Sequence, residues 1–124
     1  MRILLVEPNP VLRRCFAEDL EDAGYVTQGV GSWDEAFLAA CEETPGLVLV
    51  DGRLRPAEAA QFVRDLRSEP ELRDVPIAGI ALVRGSERGI LDAGAQFCIR
   101  SVPDRADLVK AARWAASVYR EVAA

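Results

Sequence analysis

Two acidic residues and one arginine have the types and spacing that a charged reaction centre needs. Glu7 directly follows the apolar run of residues 3–6, and Asp51 directly follows the apolar run of residues 47–50. Carboxylates in two such positions could bind a divalent cation, because hard cations prefer oxygen ligands. They could also form an acid–base pair, although no further convergent polar groups accompany them. Arg53 and Arg55 follow Asp51 by two and four residues and bring positive charge close to it along the chain.

The composition excludes several classes of function. The chain has 124 residues, a net charge of −5 and no histidine, so a Ser-His-Asp triad or a histidine-ligated metal site cannot form. It has no run of basic residues, and we therefore expect no nucleic acid as a partner. Its three cysteines lack CxxC spacing, and its apolar runs are too short for a signal peptide or a membrane span. We expect a single domain over residues 1–124 that works in the cytoplasm, away from membranes.

Two sequence patterns alternate along the chain. Short apolar runs, which predict strands, occupy residues 3–6, 25–30, 47–50, 77–83 and 97–99. Amphipathic stretches with helical spacing lie between them. The first begins at the Asn9 cap and ends at Gly24, and the second begins at the Ser32 cap and carries Trp33 on its apolar side. The predicted core-facing stripe of this first helix consists of Val11, Leu12, Cys15, Phe16 and Leu20. This alternation predicts an α/β fold with a doubly wound, five-stranded parallel sheet, whose ligands bind beyond the carboxyl ends of the strands.

The order of these pieces resembles the receiver domain of bacterial two-component response regulators. The resemblance rests on five segments in the right order and spacing, MRILLVEPNP, AGYVTQGVGSWDEAF, LVLVDGRL, SEPELRDVPI and DAGAQFCIR. None of them is specific alone, but together they cover essentially the whole chain. The resemblance implies a flavodoxin-like (βα)5 fold and a signalling module that is not an enzyme.

The resemblance also assigns the acidic residues. In the family an Asp after the third strand accepts a phosphoryl group, and two acidic residues after the first strand help to bind Mg²⁺. Asp51 is thus the candidate phosphoacceptor, and the implied metal ligands are Glu7, Asp51 and the backbone carbonyl of Arg53. Pro8 stands at the second acidic position and has no side-chain ligand. Mg²⁺ is therefore a doubtful cofactor for this chain. The resemblance places the Arg53 side chain near this acidic pocket, so we also consider that Arg53 pairs with Glu7 or Asp51 and takes the place of the metal's charge.

Two further family positions are also changed. The family holds the phosphoryl oxygens with a Ser or Thr after the fourth strand and a Lys after the fifth. Ala81 stands at the first position and has no hydroxyl. The Lys position falls on Ser101 in an ungapped alignment, or on Arg100 if one residue is deleted near Gln96, which makes Arg100 the candidate replacement. Phosphoryl transfer gathers negative charge that cations must offset, so we predict that unaided phosphorylation is slow.

These departures favour an atypical receiver, or pseudo-receiver. We expect it to contact a signalling partner, either a histidine kinase or a downstream effector, without normal Mg²⁺-dependent phosphorylation. The alternative is a working phosphoacceptor that a histidine kinase phosphorylates on Asp51, with Arg53 and Arg100 supplying compensating charge. Trp114 and Tyr119 on the last helix are candidate contacts of a surface formed by the fourth helix, fifth strand and fifth helix, which a homodimer could also use. The other interpretation of Trp114 is partial burial at the edge of its helix.

Overall fold

Five strands and five helices alternate along the chain. The computed structural model describes residues 1–53, 55–81 and 86–123, so residues 82 and 83 of the predicted fourth strand lie outside the described residues. The strands are β1 (Arg2–Val6), β2 (Val26–Val30), β3 (Leu47–Asp51), β4 (Ile77–Ile80) and β5 (Phe97–Ile99). The helices are α1 (Pro10–Asp22), α2 (Trp33–Glu42), α3 (Pro56–Ser68), α4 (Ser86–Ala93) and α5 (Arg105–Ala123), with a 3₁₀ turn at Pro70–Leu72. None of the helices, as far as their residues are described, has the length and apolar character needed to cross a bilayer.

The strands form one parallel sheet in the order β2-β1-β3-β4-β5. The chain runs outward from β1 to β2 and then returns to the other side of β1 with β3, so the strand order reverses between β1 and β3. Val6 lies opposite Val50 in the register of these two strands. The residues that follow, Glu7 and Asp51, therefore reach the carboxyl edge together. The predicted α/β fold with a doubly wound, five-stranded sheet is confirmed.

Helices cover both faces of the sheet, and this explains why the central strands are apolar throughout. One core cluster lies against α2, α3 and α4 and contains Leu4, Val6, Val48 and Val50. The other lies against α1 and α5 and contains Ile3, Leu5, Leu47 and Leu49. All eight side chains are at most 1% exposed. Each contributes about 1.5–3 kcal/mol of burial free energy, so the two layers of helices hold the carboxyl edge in place.

Helix α1 differs from its prediction on one face. The Asn9 side chain caps it, accepting hydrogen bonds from two backbone N–H groups of the first turn at 2.9 and 3.1 Å. Phe16 and Leu20 are buried as predicted. Val11 is 68% exposed and Cys15 is also exposed, so the prediction was wrong for these two residues. Cys15 lies about 100° and Val11 about 140° around the helix from Phe16, and this side of the helix faces solvent.

Arg67 of α3 ties loops together at the amino ends of β4 and β5. Its Nη1 donates hydrogen bonds to the carbonyl oxygens of Leu72, Arg73 and Val75 at 3.2, 2.8 and 2.7 Å. Its Nε and Nη2 donate to the Gly94 carbonyl at 3.0 and 2.9 Å. Gly94 has φ +126°, and a Cβ there would lie 2.8 Å from Arg67 Cγ. Glycine is therefore required by both backbone conformation and space.

Candidate functional site

Glu7 and Asp51 are buried side by side at the carboxyl edge of the sheet. Glu7 follows β1 directly, and Asp51 is the last residue of β3. Their exposed fractions are 1% and 5%, and no other charged residue in the described ranges is buried to this degree. Burying two carboxylates together is costly unless a cation or a proton compensates their charge. The site therefore requires a compensating group.

Arg53 supplies the cation. Its Nε lies 2.9 and 3.0 Å from the two carboxylate oxygens of Asp51, and its Nη2 lies 2.6 Å from Oδ2 of the same group. The same Nη2 donates to Glu7 Oε1 at 3.1 Å. The backbone N–H of Arg53 also donates to Asp51 Oδ1 at 2.9 Å. The guanidinium thus bridges the two carboxyl groups, which is the pairing that the sequence predicted.

A proton completes the charge balance. Burial, together with the hydrogen bond and negative charge of Asp51, raises the pKa of Glu7 to about 8 against the opposing effects of the Asn9 backbone and Arg53. Burial also acts to raise the pKa of Asp51, but hydrogen bonds from Arg53 and Glu7 outweigh it and lower that pKa overall. Near neutral pH the cluster therefore consists of an ionised Asp51, a protonated Glu7 and a cationic Arg53, with no net charge.

The residues in this arrangement do not fit Mg²⁺. The ion prefers octahedral oxygen ligation, and Pro8 contributes no side-chain ligand where a second acid would stand. Nitrogen Nη2 of Arg53 lies between Glu7 Oε1 and Asp51 Oδ2, at 3.1 and 2.6 Å. Within the described part of the chain, no three or more Asp, Glu, His or Cys side chains form a group that could hold a metal ion. The place between the carboxylates is taken by a cation that cannot ligate a metal.

Among the described residues, none of the remaining positions implied by the receiver resemblance forms a hydrogen bond or ion pair with the Asp51 side chain. Ala81 is buried and presents only a methyl group. Arg100 is exposed, and its Nε lies 2.5 Å from Glu87 Oε2 of α4. The structure thus pairs Arg100 with Glu87, and among the ion pairs of the described residues none joins it to Asp51. Ser101 is exposed as well.

A cavity of about 380 Å³ opens beside Asp51. Its lining consists of Val6, Pro8, Gly31, Ser32, Trp33, Asp51, Arg55 and Glu58. Sequence analysis placed Trp33 only on the second helix and missed its position beside Asp51. The available signal was its place directly after the Ser32 cap, since Ser32 Oγ accepts a hydrogen bond from the Glu35 N–H at 3.2 Å. A helix that starts at the end of β2 puts its first residues at the carboxyl edge.

Arg13 is a second residue that sequence analysis missed. Its Nη1 donates to the backbone carbonyl of Glu7 at 3.0 Å. Its side chain also lies over two glycines, because a Cβ at Gly29 would be 2.9 Å from Arg13 Cγ and one at Gly31 would meet its guanidinium. Arg13 therefore helps to position the backbone of Glu7. The only signal for this contact in the sequence was the pair Gly29 and Gly31, because two glycines close together leave room for a long side chain from a neighbouring helix.

On the surface of α4, β5 and α5 that was predicted to bind partners, one predicted contact residue packs against another residue of the same surface. Trp114 is half-buried, and its ring packs edge-on against Phe97 of β5 at a centroid distance of 4.6 Å and an angle of 90°. This contact agrees with the interpretation of Trp114 as a residue partly buried at the edge of its helix. The Tyr119 side chain, the other predicted contact, lies outside the described residues.

Comparison with known proteins points to one family, although no protein-family model matches the chain. The chain is 28% identical over 113 residues to the polar-differentiation response regulator DivK of Brucella ovis, covering 87% of this chain and 92% of DivK. It is also 28% identical to the receiver domain of the sensor histidine kinase PA1611 of Pseudomonas aeruginosa PAO1, with a TM-score of 0.82 over 93% of this chain and 97% of that one. That structure has a magnesium ion coordinated in its active-site cleft.

The fold is also that of more distant receivers. The chemotaxis protein CheY4 of Vibrio cholerae superposes with a TM-score of 0.83 at 18% identity, over 92% of this chain and 97% of CheY4. The sheet order, the acidic carboxyl edge and these two levels of similarity agree with one another. The chain therefore has the fold of bacterial response regulator receiver domains and is similar to them over most of its length.

Proposed function

We propose that this receiver is degenerate and signals through protein–protein contact, without normal Mg²⁺-dependent phosphorylation. The observation that carries the proposal is the Arg53 guanidinium, which bridges Asp51 and Glu7 at 2.6 and 3.1 Å. A cation that belongs to the chain already compensates the acidic cluster. An entering metal ion would meet a like charge, and two unit charges about 4 Å apart repel by roughly 4 kcal/mol at an effective dielectric constant near 20.

The surroundings of Asp51 support the same proposal. A phosphoryl group on this carboxylate would add negative charge next to Glu7. Glu7 is buried, and its surroundings already disfavour its own ionised form. Ala81 offers no hydroxyl to its oxygens, and Arg100 is engaged with Glu87. Phosphoryl transfer depends on groups that are placed in advance to offset charge. Arg53 is the one cation among the described residues that contacts the Asp51 carboxylate.

A working phosphoacceptor is the second candidate. Asp51 lines a cavity of about 380 Å³, and a relative 28% identical to this chain has magnesium in its active-site cleft. In this alternative the Arg53 guanidinium would turn from the carboxylates to the phosphoryl oxygens, which its planar fork can bind in bidentate fashion. The cost is that the buried Glu7 would lose the hydrogen bond that it accepts from Arg53.

The proposed partner is a protein of the same signalling system, either a histidine kinase or a downstream effector. A second copy of the chain, bound through the surface of α4, β5 and α5, is a further proposal. We propose no catalytic activity of the chain's own. We also propose that it acts in the cytoplasm, where a reducing environment keeps the exposed Cys15 and Cys41 as free thiols.

Intact mass spectrometry after incubation with acetyl phosphate tests the proposal directly. The wild-type chain is treated with and without Mg²⁺, beside Asp51→Asn. A repaired variant, Pro8→Asp with Arg53→Asn and Ala81→Thr, serves as the positive control. We expect no adduct on the wild-type chain and a Mg²⁺-dependent phosphoryl adduct on the repaired variant.

The proposal fails if the wild-type chain gains a phosphoryl group that requires Mg²⁺ and disappears in Asp51→Asn. The same assay is then repeated with a histidine kinase as the phosphoryl donor. The kinase is chosen from genes that neighbour this one or from an interaction screen. Phosphorylation of Asp51 by that kinase would establish the second candidate instead.

A further inference from the structure

A groove of about 880 Å³ runs between α2 and α3, on a different surface from the one made by α4, β5 and α5. Its apolar floor consists of Trp33, Phe37, Leu38 and Phe62. The rings of Trp33 and Phe62 lie 5.4 Å apart and are inclined by 35°. Leu38 is 61% exposed beside them. Aromatic side chains in a concave apolar surface, next to an exposed leucine, are typical of a binding surface.

The rim of this groove is acidic. Four carboxyl groups line it, those of Asp34, Glu58, Asp65 and Glu69. Among the described residues that line it there is no lysine or arginine. Arg55, just outside, lies 3.1 Å from Glu58 and offsets one of these charges. The other carboxyl groups leave the groove with a net negative rim, which favours a positively charged occupant.

We infer that this groove binds a basic amphipathic helix of a protein partner. The apolar side chains of such a helix would lie on the aromatic floor, and its lysines or arginines would face the carboxylates of the rim. Helix α2 is 10 residues long, so the groove is about 15 Å long and accommodates roughly three turns of a partner helix. Binding of an amphipathic helix in an apolar groove is a recurrent mode of recognition, read through anchors spaced three and four residues apart.

The groove is continuous with the cavity beside Asp51. Trp33 and Glu58 line both of them. An occupant of the groove would therefore lie against the residues that close the Asp51 site. The inference rests on the proposed function in taking the partner to be a protein, and it adds the chemistry by which that partner is recognised.

A peptide titration followed by NMR tests the inference on the full chain. The probe is a synthetic helical peptide of about 14 residues with leucines at helical spacing and lysines elsewhere. The two indole N–H signals, from Trp33 and Trp114, report on the two surfaces separately and are assigned with Trp114→Phe. We expect saturable movement of the Trp33 signal and none of the Trp114 signal. The same peptide with glutamates in place of the lysines is expected not to bind.

Matched surface variants locate the site. Leu38→Lys is expected to weaken binding roughly tenfold or more, because it adds positive charge and removes an anchor from the groove. Val11→Lys is the control, since Val11 is 68% exposed on α1, outside the groove, and its substitution is expected to leave affinity unchanged. Both positions are exposed, so far-ultraviolet circular dichroism should show that both variants fold.

Several outcomes would overturn the inference. They are a static Trp33 signal, equal affinity for the wild-type chain and Leu38→Lys, or saturable movement of the Trp114 signal instead. A concentration-dependent shift of Trp33 without peptide, lost in Leu38→Lys, would assign the groove to a second copy of the chain. The acetyl phosphate assay reads Asp51 and this titration reads Trp33, so failure of the groove and failure of the proposed function give different results.

Discussion

Two half-buried arginines at opposite ends of the sheet do different work. Arg53 lies at the carboxyl edge, where its guanidinium contacts the carboxylates of Asp51 and Glu7. Arg67 lies at the amino ends of β4 and β5, where its guanidinium contacts backbone carbonyls of the loops around it. The hydrogen bond with Asp51 raises the pKa of Arg53, whereas burial lowers the pKa of Arg67.

This difference shows that Arg53 determines the charge of a site, whereas Arg67 stabilises the fold. The partners of Arg67 are neutral and permanent, because backbone carbonyls cannot titrate or leave. The carboxylates of Asp51 and Glu7, by contrast, can bind a proton, a metal ion or a phosphoryl group, and each of these would replace a contact with Arg53. Substitution of Arg67 should therefore change stability alone, and substitution of Arg53 should change stability and ion binding together.

The largest effect is expected from Arg67→Ala. Removing the guanidinium leaves several loop carbonyls without partners, and we expect a loss of about 3 kcal/mol or more in the free energy of unfolding. Urea denaturation followed by circular dichroism measures it. Arg64→Ala is the matched control on the same helix, because Arg64 is exposed and its side chain, among the described residues, bonds only to Gln61 at 3.1 Å. Equal stability of the two variants would contradict the structural role of Arg67.

A smaller loss, about 2 kcal/mol at neutral pH, is expected from Arg53→Ala. Its carboxyl partners stay buried, but protonation relieves part of the cost that a broken buried ion pair would otherwise impose. Millimolar Mg²⁺ should raise the urea midpoint of this variant and leave that of the wild-type chain unchanged, because only the variant frees both carboxylates for the ion. Arg55→Ala is the control, since its pair with Glu58 is exposed. An equal Mg²⁺ response of wild type and variant would remove the distinction between the two arginines.

Glu7→Gln should stabilise the protein in a pH-dependent way. The pKa of Glu7 is about 8 in the fold against 4.5 in the unfolded chain, so between these values the folded state binds more protons. The contribution of Glu7 to stability is therefore fully present below pH 4.5 and is lost as pH rises through 8. Gln cannot ionise, so we expect the free energy of unfolding of Glu7→Gln to exceed that of the wild-type chain most at pH 8, with the difference shrinking toward pH 5. Chemical denaturation across this range measures the trend, and a constant difference would contradict it.

The smallest effect is expected from Arg100→Ala. Its pair with Glu87 is largely exposed, so we expect no measurable change in the free energy of unfolding. We also expect no change in the Mg²⁺ response of the Arg53→Ala background. If Arg100→Ala abolished the Mg²⁺ response, Arg100 would belong to the Asp51 site, and Arg53 would not be the one cation that acts there.

Much of the fold was predictable because its elements have strong local signals. The apolar runs predicted four strands to within one residue of their observed bounds, and the Asn9 and Ser32 caps predicted the starts of two helices. The burial of α1 was predicted less well, since Val11 and Cys15 continue the apolar pattern but face solvent. Hydrophobicity indicates which residues can be buried, and neighbouring elements determine which of them are.

The candidate site divides in the same way. Glu7 and Asp51 were identified from the ends of apolar runs, because parallel strands place such residues at one edge, and Arg53 was identified from the receiver resemblance. Trp33 and Arg13 were missed, since their contacts with the site depend on where α2 and α1 lie against the sheet. The acidic groove between α2 and α3 was missed for the same reason.

The sequence by itself determined which groups are absent: Pro8 cannot ligate a metal and Ala81 cannot donate a hydroxyl, whatever the fold. Only the tertiary structure decided which cation compensates the acidic cluster. Arg53 and Glu7 are 46 residues apart in the chain and 3.1 Å apart in space, whereas Arg100 reaches Glu87 instead. Side-chain chemistry belongs to the residue, but Coulomb energy depends on distances through space, and those follow from the order of the strands.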